Sequence, residues 1–278
     1  MSARLHPFFL DSPEGRLFAV HHRPASQVAE RGHVLCVPPF NEEMNRCRSM
    51  VTLQARALAE AGFGTLVIDL HGTGDSAGDF ADARWDTWLR NLSQAKAWLD
   101  AQAGGCVGLL GIRLGAVLAA QFHAACADPR IALALWQPVP DGKVHLTQFM
   151  RVKIAAQMDR TDLPKETTGG MRATLATGAP VEIAGYALHP ELAAAIDAAR
   201  LTAHALPDGT PVLWLENVSP DQPTLSPGSQ TVLAKWPGPQ AICQAQTFTG
   251  PAFWQVHERV VAPQAIELTT RWVAAPGQ

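Results

Sequence analysis

The sequence lacks the features that mark several common functional classes. It has no block of Lys or Arg: its 22 basic and 25 acidic residues are mixed along 278 positions, giving a formal net charge of −3. Neither nucleic acid nor an anionic membrane surface is therefore expected as a main partner. No apolar run approaches the roughly 18 residues of a membrane span, and the first residues lack the apolar stretch of a signal peptide. We therefore expect a soluble, cytoplasmic protein without a membrane span.

Paired cysteines are also missing. The five cysteines are odd in number and scattered, and no two form a Cys-x-x-Cys pair. A reduced compartment fits this pattern, and a zinc site built from cysteines does not. The histidines show no ligand spacing either. The sequence therefore predicts no metal and no cofactor.

What the chain does have is apolar residues, 47% of the total, which can bury a sizeable core. Apolar runs at residues 33–37, 65–70, 107–110 and 131–136 alternate with helical periodicity, and the pattern returns at 211–216. This alternation predicts an α/β fold with a mostly parallel central sheet flanked by helices. A Pro/Gly turn between apolar stretches at 8–10 and 17–21 predicts a leading antiparallel hairpin.

The alternation stops between residues 141 and 205, where helical stretches are broken by glycines. We interpret this segment as a helical cap inserted over the carboxyl edge of the sheet, where open α/β sheets bind substrates. The predicted core then comprises residues 1–140 and 206–278, with a last strand at 241–248 and a final helix that begins at Pro263. Residues 40–45 are predicted to form the loop before the first helix.

The clearest local motif is Gly111-Ile112-Arg113-Leu114-Gly115, which joins an apolar strand directly to an alanine-rich helix. In α/β-hydrolases, Gly-x-Ser-x-Gly at such a turn raises a nucleophilic serine above the sheet. Here the central residue is Arg113, and a protonated guanidinium cannot attack a carbonyl carbon. A second Gly-x-Ser-x-Gly surrounds Ser76, but no apolar helix follows it at once. A glycine-rich structural turn is therefore favoured over a nucleophile at Ser76.

The order of elbow, cap insertion, acid after a late strand and histidine after the last strand resembles the α/β-hydrolase superfamily. More narrowly, residues 38–45, 69–76, 111–116 and 136–139 resemble the second hydrolase associated with the exosortase A system. This resemblance implies the α/β-hydrolase fold and a bacterial cytoplasmic protein. It also implies a gene among exopolysaccharide and protein-sorting genes, near those of an acyl carrier protein and an acyl ligase.

The resemblance also assigns positions. Arg113 takes the nucleophile position, Glu216 the acid position and His257 the base position. Asp221, five residues after Glu216, competes for the acid role. The oxyanion and substrate-binding positions are the backbone N–H of Leu114 and the loop residues Phe40, Asn41 and Glu43.

Arg113 has three interpretations: a salt-bridge partner of Glu42 or Glu43, a clamp for a substrate carboxylate or phosphate, or a stabiliser of negative charge while water attacks. Cys36 is interpreted as a core residue rather than a substitute nucleophile, and Cys47 is left open.

Two functional hypotheses follow. The first is a hydrolase of an ester or thioester acyl bond, on a small-molecule or carrier-bound substrate, without a conventional serine nucleophile. The second is a catalytically inactive pseudo-hydrolase that binds an anionic acyl ligand or a partner protein. The sequence leaves the oligomeric state open, a homo-oligomer included.

Overall fold

The fold is built on one mixed β-sheet. The computed structural model describes residues 5–157, 165–238 and 240–275. The sheet has eight strands in the order β1-β2-β4-β3-β5-β6-β9-β10. Their bounds are β1 Leu5–Leu10, β2 Leu17–His22, β3 Gly32–Val37, β4 Phe63–Ile68, β5 Cys106–Ile112, β6 Ala132–Trp136, β9 Pro211–Asn217 and β10 Ile242–Phe248; a separate hairpin consists of β7 Val181–Ile183 and β8 Tyr186–Leu188.

Strand direction follows the sequence pattern. The predicted leading hairpin is present, because β1 pairs antiparallel with β2 and β2 pairs antiparallel with β4. All remaining neighbours in the sheet, from β4 to β10, run parallel. Every residue of β3 and β6 is buried, which is why residues 34–37 of β3 and all of β6 are continuously apolar rather than alternating.

Helices cover both faces of the sheet. Helices α1 (Glu42–Glu60) and α8 (Pro263–Ala274) pack on one face, and α2 (Trp85–Asp100) and α3 (Gly115–Cys126) pack on the other. Helix α1 begins at Glu42, inside the stretch predicted as loop 40–45, so that prediction was wrong over residues 42–45. A shorter helix, α7 (Pro227–Leu233), lies between β9 and β10.

The segment between β6 and β9 carries α4 (Gly142–Ala156), α5 (Thr168–Ala176), the β7-β8 hairpin and α6 (Pro190–Ala198). Its two ends are tied together: Arg200 pairs with Asp141, and the N–H of Gly142 donates to the carbonyl of Ala199. The division into a core and a cap at residues 141 and 205 stays a prediction. Within the described part of the chain, no helix is long and apolar enough to cross a bilayer.

Candidate functional site

The turn between β5 and α3 has the geometry of a strained elbow. Arg113 has a backbone φ of 54°, a left-handed conformation that is costly for a residue with a Cβ. Its N–H donates to the carbonyl of Trp136 at 3.0 Å, and its carbonyl accepts from the N–H of Val139 at 3.2 Å. A Cβ at Gly115 would lie 2.3 Å from the carbonyl oxygen of Pro38, so only glycine fits there.

The side chain of Arg113 is held on three sides. Its Nε donates to Glu43 Oε1 at 3.1 Å, and Nη1 donates to the carbonyl of Gln137 at 3.2 Å. Its guanidinium carbon lies 5.2 Å from the centre of the Trp254 ring. The Arg113 and Glu43 side chains are only 13% and 17% exposed. Of the two acids that the sequence offered as partners, Glu43 is therefore the one that neutralises the guanidinium.

One carboxylate oxygen of Glu43 accepts a hydrogen bond from Arg113, and the other has no hydrogen-bond partner among the described residues. Burial raises the pKa of its carboxyl group, and the nearby Arg113 cation opposes that rise. Its second oxygen, Oε2, is buried and has no hydrogen-bond partner among the described residues. The neighbouring Glu42 is engaged elsewhere: it accepts a hydrogen bond from Tyr186 and pairs with Arg46 at 3.7 Å. Of these two acids, only Glu43 therefore combines an ion pair to the elbow with an unused carboxylate oxygen.

A small cavity of about 20 Å³ lies beside the elbow, lined in part by Leu114, Asn41 and Phe40. That volume is about enough for one water-sized group. Asn41 has a backbone φ of 49°, and both polar atoms of its buried side chain lack partners within the described ranges. These three lining residues are among those that the resemblance assigns to the oxyanion and substrate-binding positions, and that assignment stays a prediction.

A larger cavity of about 170 Å³ opens between α1, the elbow and α4. His145, on α4, is 6% exposed and lines it. Burial and the charge of Arg113 lower the pKa of His145 to about 3, so the imidazole is neutral near pH 7. The full lining is Phe40, Glu42, Glu43, Arg46, Arg113, His145, Gln148, Phe149, Val152 and Gln255. Sequence reasoning missed His145; its only signal was a histidine on the buried face of a helix in the predicted cap.

The residues at the predicted base and acid positions lie outside this lining. His257 is exposed, and Arg46 Nη2 donates to its Nε2 at 3.2 Å. Because a guanidinium can only donate, the Nε2 lone pair is occupied. Glu216 is 5% exposed, and its Oε1 accepts from the N–H of Ser226 at 3.3 Å. Among the described residues, no hydrogen bond joins Glu216 or the exposed Asp221 to His257.

The other candidate nucleophiles, Ser76, Cys36 and Cys47, have contacts or burial that indicate a structural role. Ser76 Oγ donates to the carbonyl of Asp69 at 2.6 Å and accepts from the N–H of Phe18 at 2.8 Å, so it links the glycine-rich turn to β2. Burial raises the pKa of Cys36 to about 12 and also raises the pKa of Cys47. Neither thiol is therefore activated as a thiolate. Within the described part of the chain, no three His, Cys, Asp or Glu residues group as metal ligands.

Comparison with solved structures identifies the fold. Est1E from Butyrivibrio proteoclasticus, with ferulic acid bound, superposes with a TM-score of 0.63 at 17% identity, over 96% of each chain. A hydrolase described as putative, from Agrobacterium vitis S4, gives 0.62 at 18% identity over 98% of each chain. XC6422 from Xanthomonas campestris, an α/β serine hydrolase without a lid, gives 0.55 at 17% identity over 98% of this chain and 93% of that one.

No protein-family model and no curated protein matches the sequence. The predicted α/β-hydrolase fold is confirmed by the sheet and by these neighbours. At such low sequence identity, this structural similarity shows the fold but does not identify the reaction.

Proposed function

We propose that this chain hydrolyses an ester or thioester bond of an acyl group by direct attack of water, without an acyl-enzyme intermediate. The ion pair between Arg113 and Glu43 carries this proposal. It fills the nucleophile position with a group that cannot attack, and it places a carboxylate with a free oxygen beside that group. No Ser or Cys lines the larger cavity, as far as the described residues go.

In the proposed reaction, Glu43 Oε2 takes a proton from water, and the water oxygen bonds to the acyl carbon. The carbonyl electron pair moves onto the carbonyl oxygen, which the N–H of Leu114 and the amides of residues 40 and 41 stabilise. The intermediate then collapses and expels the alkoxide or thiolate, which takes the proton from Glu43. Arg113 holds the Glu43 carboxylate in position and provides positive charge near the developing oxyanion.

The resemblance to the exosortase-associated hydrolases supports a finer assignment: an acyl group, small-molecule or carrier-bound, used in a bacterial exopolysaccharide or exosortase system. It also supports His257 as the base with Glu216 as its acid. For His257 to accept a proton at Nε2, the hydrogen bond from Arg46 must first break. The geometry therefore favours Glu43 as the base, and the two assignments are tested side by side.

The test is a hydrolysis screen on p-nitrophenyl esters of short and long acyl groups, acyl thioesters and carrier-bound acyl groups. Wild type is compared with Glu43→Gln, His257→Ala and the control Glu60→Gln, which changes an exposed acid at the other end of α1. We expect Glu43→Gln to lower turnover at least ~100-fold, as loss of a general base does. If only His257→Ala lowers turnover by a comparable factor, the general base is His257 and not Glu43.

A second candidate function is binding without turnover. This alternative is favoured because Glu43 neutralises the Arg113 guanidinium. An ion pair of this kind at the elbow is also expected in a site that has lost catalysis. This alternative predicts no hydrolysis of any substrate in the screen by folded wild-type protein, together with saturable binding of an acyl ligand that Arg113→Ala weakens.

A further inference from the structure

The larger cavity has a balanced charge. Two arginines, Arg46 and Arg113, face two acids, Glu42 and Glu43, and each arginine pairs with one of the acids. His145 adds no charge near pH 7. An anionic ligand would have to displace a carboxylate that already neutralises the guanidinium. The charges therefore favour an uncharged ligand, in contrast to the anionic ligand expected from an isolated arginine.

Several residues that line the cavity nevertheless have unused hydrogen-bonding atoms. Within the described ranges, three residues that line the cavity each carry a buried side-chain atom with no partner: Glu43 Oε2, Arg46 Nε and His145 Nδ1. Glu43 Oε2 accepts when ionised, and Arg46 Nε only donates. Buried polar atoms are normally satisfied, so unpartnered atoms on the lining residues favour a polar ligand towards which these side chains can turn. A hydroxyl group both donates and accepts, and it satisfies either kind of atom without bringing a charge.

The rest of the wall combines aromatic rings with planar amides. The rings of Phe40 and Phe149 lie 5.2 Å apart edge to face, and both line the cavity. Gln148 and Gln255 add two amide groups, and both residues are exposed at the opening. Aromatic side chains beside planar polar side chains suit a ligand with C–H faces and hydroxyl edges. A fatty chain would leave the polar atoms unsatisfied.

From this combination we infer that the cavity binds an uncharged, polyhydroxylated ring the size of one sugar residue, so that the ester cleaved at the elbow is an acylated sugar. This inference rests on the proposed function for the cleavage step, whereas the binding step stands independently of it. The acyl carbon would lie at the elbow, and the ring would lie between α1 and α4. The hydroxyl-bearing ring is then the leaving group of the hydrolysis.

Binding is tested first, by calorimetry with the methyl pyranosides of glucose, galactose and mannose. Cyclohexylmethanol serves as the ring without ring hydroxyls, and succinate as the anion. We expect saturable binding of at least one pyranoside, and weakening of at least ~10-fold in Gln148→Ala and Gln255→Ala, which truncate exposed side chains. We expect no competition from succinate. Failure of all three pyranosides to bind, or tighter binding of succinate or cyclohexylmethanol, overturns the inference.

Turnover separates this inference from the proposed function. Monoacetylated methyl pyranosides are compared with cyclohexylmethyl acetate, the analogue without ring hydroxyls. We expect kcat/KM to be at least ~100-fold higher for the best acetyl sugar, because cyclohexylmethyl acetate leaves buried polar groups unpaired. Pyranoside binding without turnover of any ester supports the sugar site and contradicts the hydrolase. Hydrolysis of both ester types with equal kcat/KM supports the hydrolase and contradicts the sugar site.

Discussion

Removing Arg113 should destabilise the protein in a pH-dependent way. In Arg113→Ala, Glu43 keeps its buried position but loses the cation that offsets its desolvation. Loss of one partner from a fully buried ion pair costs about 3–5 kcal/mol. Because the Glu43 side chain retains 17% exposure, we expect a somewhat smaller loss. The free energy of unfolding at pH 7.5 should fall by about 2–4 kcal/mol.

The direction of the pH dependence follows from the pKa of Glu43. In the folded protein this pKa is raised above its ordinary value of 4.5, so ionisation of Glu43 penalises the folded state. The penalty is absent below the unfolded pKa and grows as pH rises through the folded pKa. Without Arg113 the folded pKa rises further. The loss caused by Arg113→Ala should therefore be largest at pH 7.5 and smaller at pH 5.

The assay is urea unfolding followed by tryptophan fluorescence, at pH 7.5 and pH 5, on wild type, Arg113→Ala, Glu43→Gln and the double variant. In the double variant neither charge of the pair is left buried, so the two effects should be non-additive, with the Glu43→Gln change recovering at least about 1 kcal/mol in the Arg113→Ala background. Additive effects, or a loss below about 0.5 kcal/mol that is the same at both pH values, would refute the reasoning.

Two further predictions concern stability away from the elbow. Ser76→Ala should lower the free energy of unfolding by about 1–3 kcal/mol, because the N–H of Phe18 loses its acceptor, and should leave ester hydrolysis within about 2-fold of wild type; a selective loss of turnover would instead make Ser76 catalytic. Burial lowers the pKa of both His21 and His22 to about 4. Protonation of either buried imidazole therefore penalises the folded state. The stability that the neutral imidazoles contribute is complete above pH 6.5 and is lost as pH falls towards 4. Urea midpoints measured from pH 7.5 to 4.5 should show this decline, and His22→Leu should flatten it; an unchanged slope contradicts the assignment.

The fold was predictable because its determinants are local. Apolar runs fix the buried parallel strands, and the spacing of Gly111 and Gly115 around Arg113 is enough to identify the elbow. The loss of alternation after residue 140 predicts an inserted cap, which stays a prediction, and the order of the small elements in this segment was not predicted. Helix α1 was placed too late: it begins at Glu42, and the acids at 42 and 43 lie in its first turn, where acidic residues are favourable.

The chemistry of the site depends on tertiary contacts that no spacing encodes. Whether Glu42 or Glu43 meets Arg113 depends on the residue at which α1 begins, and a shift of one residue rotates the side chain by about 100°. His145 reaches the cavity only because α4 packs over it, and the partner of His257 is Arg46, 211 residues earlier in the chain. A sequence motif indicates the position of the histidine after the last strand, but not what its Nε2 contacts.

The central claim is that the Arg113–Glu43 pair activates water at the elbow. Its most direct test is kcat/KM as a function of pH for the best ester or thioester, in wild type, Glu43→Gln and Glu60→Gln. The account predicts a wild-type rate that rises with pH through a pKa above 4.5, a loss of at least ~100-fold in Glu43→Gln, and no change in Glu60→Gln. Wild-type turnover that survives Glu43→Gln with the same pH profile would contradict it.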